Sequence, residues 1–391
     1  MADIVKSILS PKRAAMLAVL LIALLSLAGN SRTYAYKETA VPEPVKLSPR
    51  LRALFEKTKI LCFGRYAIEV PQEAQLVWGG ASFPSDIDII SGGIEKAKRR
   101  AEEKIAKLKR EEDAAEISYN GPGPIEESWQ TRYFEDEYKK ERNALFFDTY
   151  ISKGELTFVL GDSIEKGETE STVIARQLAQ AKSLRLRPAE EVPTEPGFCI
   201  EHGFIAGDRY GDSEKVNAGI YLPSFPDVTF SVSSNQNAYG DYDKAEFEMK
   251  RDELSLLARI KGAQDMQGVL YPKRDVLREG KRDVQHWKGE ESLIRRPDGT
   301  HDFEWAFVGT PRDVANPSEF GAAMFTKVEA NMVGAAKKAS VSNDEAVALW
   351  DKLLSGLKFR VKVPGAPEGS YFFPRANLTR LAPSNETPRP Q

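Results

Sequence analysis

A serine and a histidine are the residues of this sequence whose surroundings best fit a catalytic site. Ser163 ends the run Phe158–Ser163, which follows a predicted strand, and His301 ends the stretch that begins at Asp298. A serine hydroxyl beside a histidine that a carboxylate orients is the arrangement that activates a nucleophile for ester hydrolysis. Ser163 and His301, with Asp298, are therefore the candidate catalytic residues of an esterase.

The wider pattern favours a different interpretation. The Ser163 block resembles the nucleophile block of GDSL-type esterases, but in those enzymes the serine comes early, on a parallel sheet. Here it follows a predicted antiparallel hairpin, Ser163 and His301 fall in different predicted domains, and no Gly-x-Asn-Asp block supplies an oxyanion hole. We therefore expect Gly161 and Asp162 to turn the chain, and His301 to lie at a strand edge beside Asp302.

Metal and cofactor chemistry find no support in the sequence. His202, His286 and His301 do not stand at i, i+2 or i, i+4 spacing, and neither Cys/His clusters nor nucleotide-binding glycine loops are present. The chain carries 55 Lys+Arg against 58 Asp+Glu without a basic block, which argues against nucleic acid. We expect no metal, no cofactor and no small-molecule substrate.

The amino terminus has the pattern of an export signal. Basic residues precede an apolar run at Ala14–Leu25, which is shorter than the roughly 20 residues of a membrane-spanning helix. Small residues allow cleavage after Ala28 or after Ala35. We expect residues 1–35 to be a signal peptide and the body to be periplasmic; an uncleaved signal would instead act as an N-terminal membrane anchor. Removal of residues 1–35 leaves a body with a net charge of −6, against −3 for the whole chain.

Two cysteines remain in the exported body, Cys62 and Cys199. An even number of cysteines in an oxidising compartment favours pairing. The sequence does not decide between a Cys62–Cys199 bridge that ties the two halves together and two separately buried thiols, because the Cα separation is unknown. The pair is therefore a candidate disulfide.

The length and composition predict two globular domains. The 391 residues are 41% hydrophobic and 29% charged, which is ordinary for folded proteins. Three prolines between Arg187 and Gly197 mark a boundary, and a proline-rich stretch ends the chain. The predicted organisation is a signal peptide, an N-terminal domain, a C-terminal domain and a tail, at residues 1–35, 50–188, 197–362 and 363–391.

The two domains repeat one pattern of elements. The first has a charged helix at Ile94–Glu112, a hairpin at Ala144–Leu160 and a helix near Ser171–Leu184. The second has strands near Gly219–Leu222 and Val228–Ser233, one helix near Tyr242–Ile260 and a last helix at Asn343–Leu354 that begins with a capping box. Both domains are therefore predicted to be α+β, each a mainly antiparallel sheet backed by helices, and related to one another.

Five segments of the sequence resemble one protein family, the exported immunity proteins that protect bacteria from type VI secretion lipase effectors. Together with the predicted signal peptide and the last helix, the segments that carry the resemblance are Cys62–Pro71, Gly197–Phe204, Trp287–Glu291, Phe303–Trp305 and Leu357–Arg360. The likeness extends over both predicted domains.

The resemblance implies a function through binding. It predicts a two-domain periplasmic protein that is not an enzyme and that grips a secreted lipase or phospholipase with both domains, so that the active-site entrance or lid is occluded. It supplies no short motif from which interface residues can be named. Two alternatives stay open: an exported GDSL-like serine esterase that uses Ser163 and His301, and an envelope scaffold or binding protein of the same fold.

Overall fold

The fold is built from one large antiparallel sheet, two small sheets and the helices that cover them. The computed structural model describes residues 46–112, 114–210, 213–326 and 339–372. Residues 1–35, the predicted signal peptide, and residues 373–391 of the predicted tail lie outside this range. The seven α-helices in the described residues are α1 Pro49–Leu54, α2 Ile94–Glu111, α3 Glu137–Glu141, α4 Glu170–Ser183, α5 Lys244–Lys250, α6 Leu256–Gln267 and α7 Asn343–Ser355, and a 3-10 turn spans Gly268–Leu270.

Eighteen strands are found in the same residues. They are β1 Thr58–Phe63, β2 Tyr66–Pro71, β3 Gln75–Ser82, β4 Asp86–Ser91, β5 Glu116–Pro122, β6 Ser128–Phe134, β7 Phe146–Lys153, β8 Leu156–Ser163, β9 Leu184–Leu186, β10 Gly197–Ile200, β11 Gly203–Ala206, β12 Lys215–Tyr221, β13 Thr229–Asn235, β14 Asp275–Val284, β15 Trp287–Arg295, β16 His301–Phe307, β17 Glu319–Phe325 and β18 Leu357–Phe359. The predicted domain boundary at 188–197 coincides with the segment between β9 and β10.

Twelve of these strands form a single sheet that runs through both halves of the chain. Its order is β14-β15-β16-β17-β13-β12-β3-β4-β8-β7-β6-β5. The central pair is β3 with β12, in which Gly219 opposes Val77 and Ile220 opposes Leu76. Six strands from each half therefore meet at this pair, and both halves share one hydrogen-bonded sheet.

The order of strands reveals an internal repeat. Outward from the central pair, the first half adds β4, β8, β7, β6 and β5, and the second half adds β13, β17, β16, β15 and β14 in the corresponding sequence order. The helix α2 follows β4 as α5 and α6 follow β13, and α4 follows β8 as α7 follows β17. The two halves thus have the same topology, as the sequence pattern predicts.

The repeats exchange their last strands. The strand β18, which ends the second repeat, pairs with the hairpin β1-β2 that opens the first. The strand β9, which ends the first repeat, pairs with the hairpin β10-β11 that opens the second. Each small sheet therefore contains strands from both repeats. The two halves are thus joined by the large sheet and by both small sheets.

The main core lies between one face of the large sheet, here called the inner face, and the layer of α7 with the small sheets. Trp287, Trp305 and Trp350 are completely buried there. The ring of Tyr66 on β2 stacks against Phe320 of β17, with 4.9 Å between ring centroids. A residue of the first repeat is thus packed within the core of the second.

Most predicted elements are present, and one predicted helix is wrong. The capping box at Ser342 and Glu345 is confirmed, and the hairpin β7-β8 turns at Gly154 as expected. The single helix predicted near Tyr242–Ile260 is wrong, because two helices occupy this region. Asp243 caps the first, α5, and Ser255 caps the second, α6, each by accepting a hydrogen bond from a backbone N–H three residues ahead.

Candidate functional site

The two candidate catalytic residues lie far apart in the large sheet. Ser163 is the last residue of β8, and His301 is the first residue of β16. Five strands separate β8 from β16. At about 4.8 Å between neighbouring strands, the separation along the sheet is roughly 29 Å. A serine must lie within hydrogen-bond distance of its base, so these two residues do not form a catalytic pair.

The candidate base is held by partners other than a carboxylate. The Nε2 atom of His301 lies 2.9 Å from Oδ1 of Asn343, and Nδ1 lies 3.1 Å from Oγ1 of Thr326. Burial lowers the pKa of His301, so the ring is neutral at physiological pH. Asp298 accepts hydrogen bonds from the backbone and hydroxyl of Thr300. His301 is therefore a structural residue at the start of β16, beside Asp302.

The segment before Ser163 also differs from its prediction. Gly161 and Asp162 do not turn the chain, because β8 continues through Ser163 and pairs with β7. Asp162 accepts two hydrogen bonds of 2.9 Å from Arg176 of α4. The Asp162 carboxylate therefore attaches α4 to the sheet and does not stabilise a turn.

Other kinds of site are not found in the part of the chain that the structure describes. Residues 46–112, 114–210, 213–326 and 339–372 contain no group of three or more His, Cys, Asp or Glu side chains arranged to hold a metal ion. No helix among them is long and apolar enough to span a bilayer. The exposed side of the large sheet is therefore the candidate functional surface.

The junction of the two repeats is covalent and ionic. Cys62 of β1 and Cys199 of β10 form a disulfide, with 6.0 Å between their Cα atoms. Beside it, Arg65 donates hydrogen bonds of 2.8 and 2.6 Å to Glu214, and both side chains are almost completely buried. A buried ion pair of this kind fixes relative position because either charge alone is costly to bury. The relative placement of the repeats is therefore strongly constrained.

The second face of the large sheet is only partly covered. Along β12, β13 and β17 one set of alternating side chains is buried, along β3 the corresponding set is partly buried, and the other set points away from the core. This second set, together with the neighbouring residues of β4, is here called the open face. Its members are Val77, Gly79, Gly80, Asp86, Asp88, Asn217, Gly219, Tyr221, Thr229, Ser231, Ser233, Glu319, Gly321, Ala323 and Phe325.

Two helices border the open face, one from each repeat. On the first repeat, Lys104 of α2 forms an ion pair with Asp148 of β7, and Ala97 and Ala101 pack against Tyr150. Asp148 lies on the same side of the sheet as Asp86, since both pair with Gly161. The helix α2 therefore covers strands β6 and β7, and its apolar contacts extend to Val159 of β8 and to Ile90 near the end of β4, where the helix borders the open face.

The border on the second repeat is α6. The backbone N–H of Leu257 donates a 2.9 Å hydrogen bond to Glu290 of β15, and Arg259 pairs with Glu304 of β16 at 3.3 Å. Glu304 and Ser231 both pair with Ala323 of β17, one from each neighbouring strand. The side chain of Glu304 therefore points to the same side of the sheet as the open face. The five central strands thus form a floor between two helical walls that belong to different repeats.

The floor consists mainly of small and polar residues. Its central residues have very small side chains: three are glycines, Gly79, Gly219 and Gly321, and one is Ser231. A partner can therefore approach the backbone closely. Val77 and Phe325 are 54% and 39% exposed. Such a surface can receive a folded partner, with apolar contacts at scattered points and backbone polar groups within reach.

Sequence reasoning assigned none of these residues to a partner surface. The alternation of Thr229, Ser231 and Ser233 with buried residues predicts a strand with one polar face, and this is confirmed. The glycines inside β3, β12 and β17 are the signal that was not used, since glycine in a strand interior indicates close approach of another chain. What the sequence does not show is that these strands become neighbours, because the register joins segments more than a hundred residues apart.

Solved structures show the same fold. An apo immunity protein, TplEi of the T6SS from Pseudomonas aeruginosa, matches with a TM-score of 0.59 and 22% identity over 78% of this chain and 97% of that chain. The same protein complexed with an "L" peptide matches with a TM-score of 0.58 and 23% identity, over 78% of this chain and 99% of that chain. A Tle4–Tli4 complex contains a chain that matches with a TM-score of 0.60 and 23% identity, over 78% of this chain and 97% of that one.

Family models assign both halves of the sequence. No curated protein matches the chain significantly. The model of the Tle cognate immunity protein 4 N-terminal domain matches residues 59–187, and that of the C-terminal domain matches residues 191–362. Together they cover 301 of the 391 residues. Because these matches span more than half of the sequence, the chain belongs to the Tle cognate immunity protein 4 family.

Proposed function

We propose that this protein is a periplasmic immunity protein that binds a type VI secretion lipase effector across the open face and blocks access to its active site. The observation that carries the proposal is the composition of this face: its floor is shared by both repeats, and α2 and α6 border it from opposite sides. A partner seated there contacts both halves of the chain at once.

The size of the face suits a folded partner. Five strands at about 4.8 Å spacing span roughly 24 Å, and seven residues at about 3.3 Å each extend roughly 23 Å along the strands. This gives a floor of roughly 550 Å², to which the inner sides of α2 and α6 add contact area. A standard protein interface buries about 800 Å² on each partner. The open face with its two borders is therefore large enough for tight inhibition.

The charges of the face favour one kind of partner. Asp86, Asp88 and Glu319 are exposed on it, against Lys215 at the end of β12. An acidic surface attracts a basic one and increases the rate of encounter, an effect that salt weakens. We expect the effector surface that faces this sheet to carry more basic than acidic side chains.

A substitution at the centre of the floor tests the proposal. Ser231→Arg places a long charged side chain where the partner would approach, without touching the buried side of β13. Ser171→Arg is the matched control, because Ser171 is exposed in the first turn of α4, which packs on the inner face. Purified residues 36–391 and each variant are added to the cognate lipase effector, and complex formation and lipid hydrolysis are measured.

We expect the wild type and Ser171→Arg to form a 1:1 complex and to abolish hydrolysis. Ser231→Arg should raise Kd at least tenfold, since one clash at the centre of an interface costs about 2 kcal/mol or more. Unchanged binding by Ser231→Arg would place the interface elsewhere. Ester cleavage by the protein itself that is lost in Ser163→Ala would contradict the immunity function and support the esterase alternative.

Export is part of the same proposal. It is supported by the charged and apolar segments of residues 1–35 and by the Cys62–Cys199 disulfide, since stable disulfides belong to oxidising compartments. Alkaline phosphatase, which is active only outside the cytoplasm, can be fused after residue 50. We expect an active fusion, and mass spectrometry of the mature chain to show Tyr36 or Gly29 at its start; an inactive fusion would argue against export.

A further inference from the structure

A large groove lies away from the open face, next to the segment that connects the two repeats. It has a volume of about 1170 Å³, which is slightly above the range of ordinary ligand sites, about 300–1,000 Å³. One wall is the edge of β1 and the start of β3, and the other is the connecting segment with the residues after β18. Apolar side chains form much of its lining, among them Ile60, Leu76, Trp78, Val192, Val361 and Phe372.

Two buried arginines also line the groove, at equivalent positions of the two repeats. Arg187 directly follows β9, and Arg360 directly follows β18. The backbone N–H of Arg187 donates to the carbonyl of His202, and that of Arg360 donates to the carbonyl of Arg65, each in the turn of the opposite repeat's opening hairpin. Both side chains are less than 5% exposed. The strand exchange thus brings a matching pair of guanidinium groups to one groove.

These guanidinium groups have carbonyl partners but no ion pair. Arg187 donates to the carbonyls of Gly203 and Ile200, at 3.2 Å each, and Arg360 donates to those of Glu195 and Gly197, at 2.8 and 2.7 Å.

Among the described residues no carboxylate oxygen lies within 4.0 Å of either group, and Nε of Arg360 is buried without a hydrogen-bond partner. Burial lowers the pKa of Arg360 to about 10, so it remains charged at neutral pH.

The groove is therefore positive in a protein that is acidic as a whole. Its fixed charges are four basic and two acidic side chains: Lys59, Arg187, Arg360 and Lys362, with Glu190 and Glu201. His202 at the rim is the remaining titratable side chain. Glu191 and Glu195, which form ion pairs with Arg185, interact electrostatically with Arg187 and Arg360 from beyond ion-pair distance. Buried positive charge raises the affinity for an anion, and the apolar lining raises the affinity for a hydrocarbon chain.

We infer that this groove binds an anionic amphiphile with a single acyl chain, such as a fatty acid or a lysophospholipid. The acyl chain lies along Ile60, Leu76 and Val361, and the anionic headgroup lies toward the arginine pair. The ligand class follows from charge complementarity and from the apolar lining, and the inference does not depend on the binding of an effector.

Three probes distinguish the sources of this chemistry. Palmitate represents fatty acids, lysophosphatidylglycerol represents lysophospholipids, and monopalmitoylglycerol has the same chain without charge. Each is titrated below its micelle concentration into purified residues 36–391, by calorimetry and by Trp fluorescence, since Trp78 lines the groove and stacks near Arg187 at 5.9 Å. We expect saturable 1:1 binding of palmitate, of lysophosphatidylglycerol or of both, and at least tenfold weaker binding of monopalmitoylglycerol.

Adjacent residues of β3 provide a matched pair of variants. Leu76 lines the groove, whereas Val77 points to the opposite side of the sheet. Leu76→Asp should raise Kd at least tenfold, and Val77→Asp should leave it unchanged. The double variant Lys59→Glu/Lys362→Glu should also raise Kd about tenfold, while Lys182→Glu, at an exposed position of α4 that does not line the groove, should not.

Thermal unfolding of each variant shows whether it is folded. No binding of either anionic probe by the wild type would overturn the inference. Equal binding of the uncharged probe would also overturn it, as would equal loss in Leu76→Asp and Val77→Asp. Effector inhibition by Leu76→Asp is measured separately, so that failure of lipid binding and failure of the immunity function give different results.

Discussion

At the scale of single residues, equivalent positions of the two repeats make equivalent contacts. Cys62 and Cys199 each lie two residues before the turn of an opening hairpin. The same two turns contain the carbonyl groups that accept hydrogen bonds from the backbone N–H groups of Arg187 and Arg360. Side chains at matching positions meet because the repeats face one another. The disulfide is therefore a bond between corresponding points, which explains how two cysteines 137 residues apart come together.

Removal of this disulfide should destabilise the protein. A cross-link that closes a loop of this length restricts the unfolded chain, and such bonds contribute about 2–4 kcal/mol. We expect Cys62→Ala/Cys199→Ala to lower the free energy of unfolding by that amount in denaturant titrations. Reducing agent should lower the stability of the wild type and leave the double variant unchanged. Two free thiols in the unfolded, unreduced wild type would contradict the bond.

At the scale of elements, one carboxylate connects the first helix to the last. Glu345, in the capping box of α7, accepts hydrogen bonds from Nε and Nη2 of Arg50, at 2.7 and 2.6 Å, and from Oγ of Ser48, which caps α1. The hydrogen bond from Arg50, with that from Ser48, holds the pKa of Glu345 at about 2. The contact fixes α1 against the start of α7.

The low pKa of Glu345 predicts a pH dependence of stability. A carboxylate whose pKa is lower in the folded state stabilises it above its ordinary pKa of 4.5, and the effect is lost as pH falls toward 2. Because Arg50 is 45% exposed, the contribution is about 1 kcal/mol. Glu345→Gln should cost this amount at pH 7, and the difference from wild type should disappear near pH 2. An equal difference at both pH values would assign the cost to lost capping instead.

The elements that local pattern predicts well are those with internal signals. The periodicity of α2, the capping box of α7 and the alternation in β13 all act within ten or twenty residues, so they can be read from the sequence. The junction between α5 and α6 was missed because Asp243 and Ser255 are both good caps in one hydrophilic stretch. Gly161 and Asp162 were misjudged because the pairing of β8 with β7 outweighs their preference for turns.

At the scale of the whole molecule, the sequence predicts two related domains but does not show that they share a sheet. The pairing of β3 with β12, and the exchange of β9 and β18, join residues that are distant in sequence. No local pattern encodes such pairing, since register depends on which apolar faces are buried together. The open face and the arginine groove both arise from these pairings, which is why neither was predicted.

The exchange of β9 and β18 predicts that the repeats depend on one another for folding. Alone, residues 46–190 would lack β18, leaving the edge of β2 and the central edge of β3 unpaired. Residues 191–372 would lack β9 and the β3 edge of the large sheet. Exposed strand edges and an open core favour aggregation over folding. We therefore expect neither fragment to fold alone, so that neither shows a cooperative unfolding transition. This is expected although each fragment contains all the sequence segments of one repeat.

Co-expression of the two fragments supplies the missing strands in trans. We expect a 1:1 complex that unfolds in one transition and retains the Cys62–Cys199 disulfide, because β18 can still pair with β2 and β9 with β11. The complex should be less stable than the intact chain, since its association must offset the lost connection between β9 and β10. Cooperative unfolding of residues 46–190 alone would instead show that the first repeat is an independent domain, and that the exchange adds stability without being required for folding.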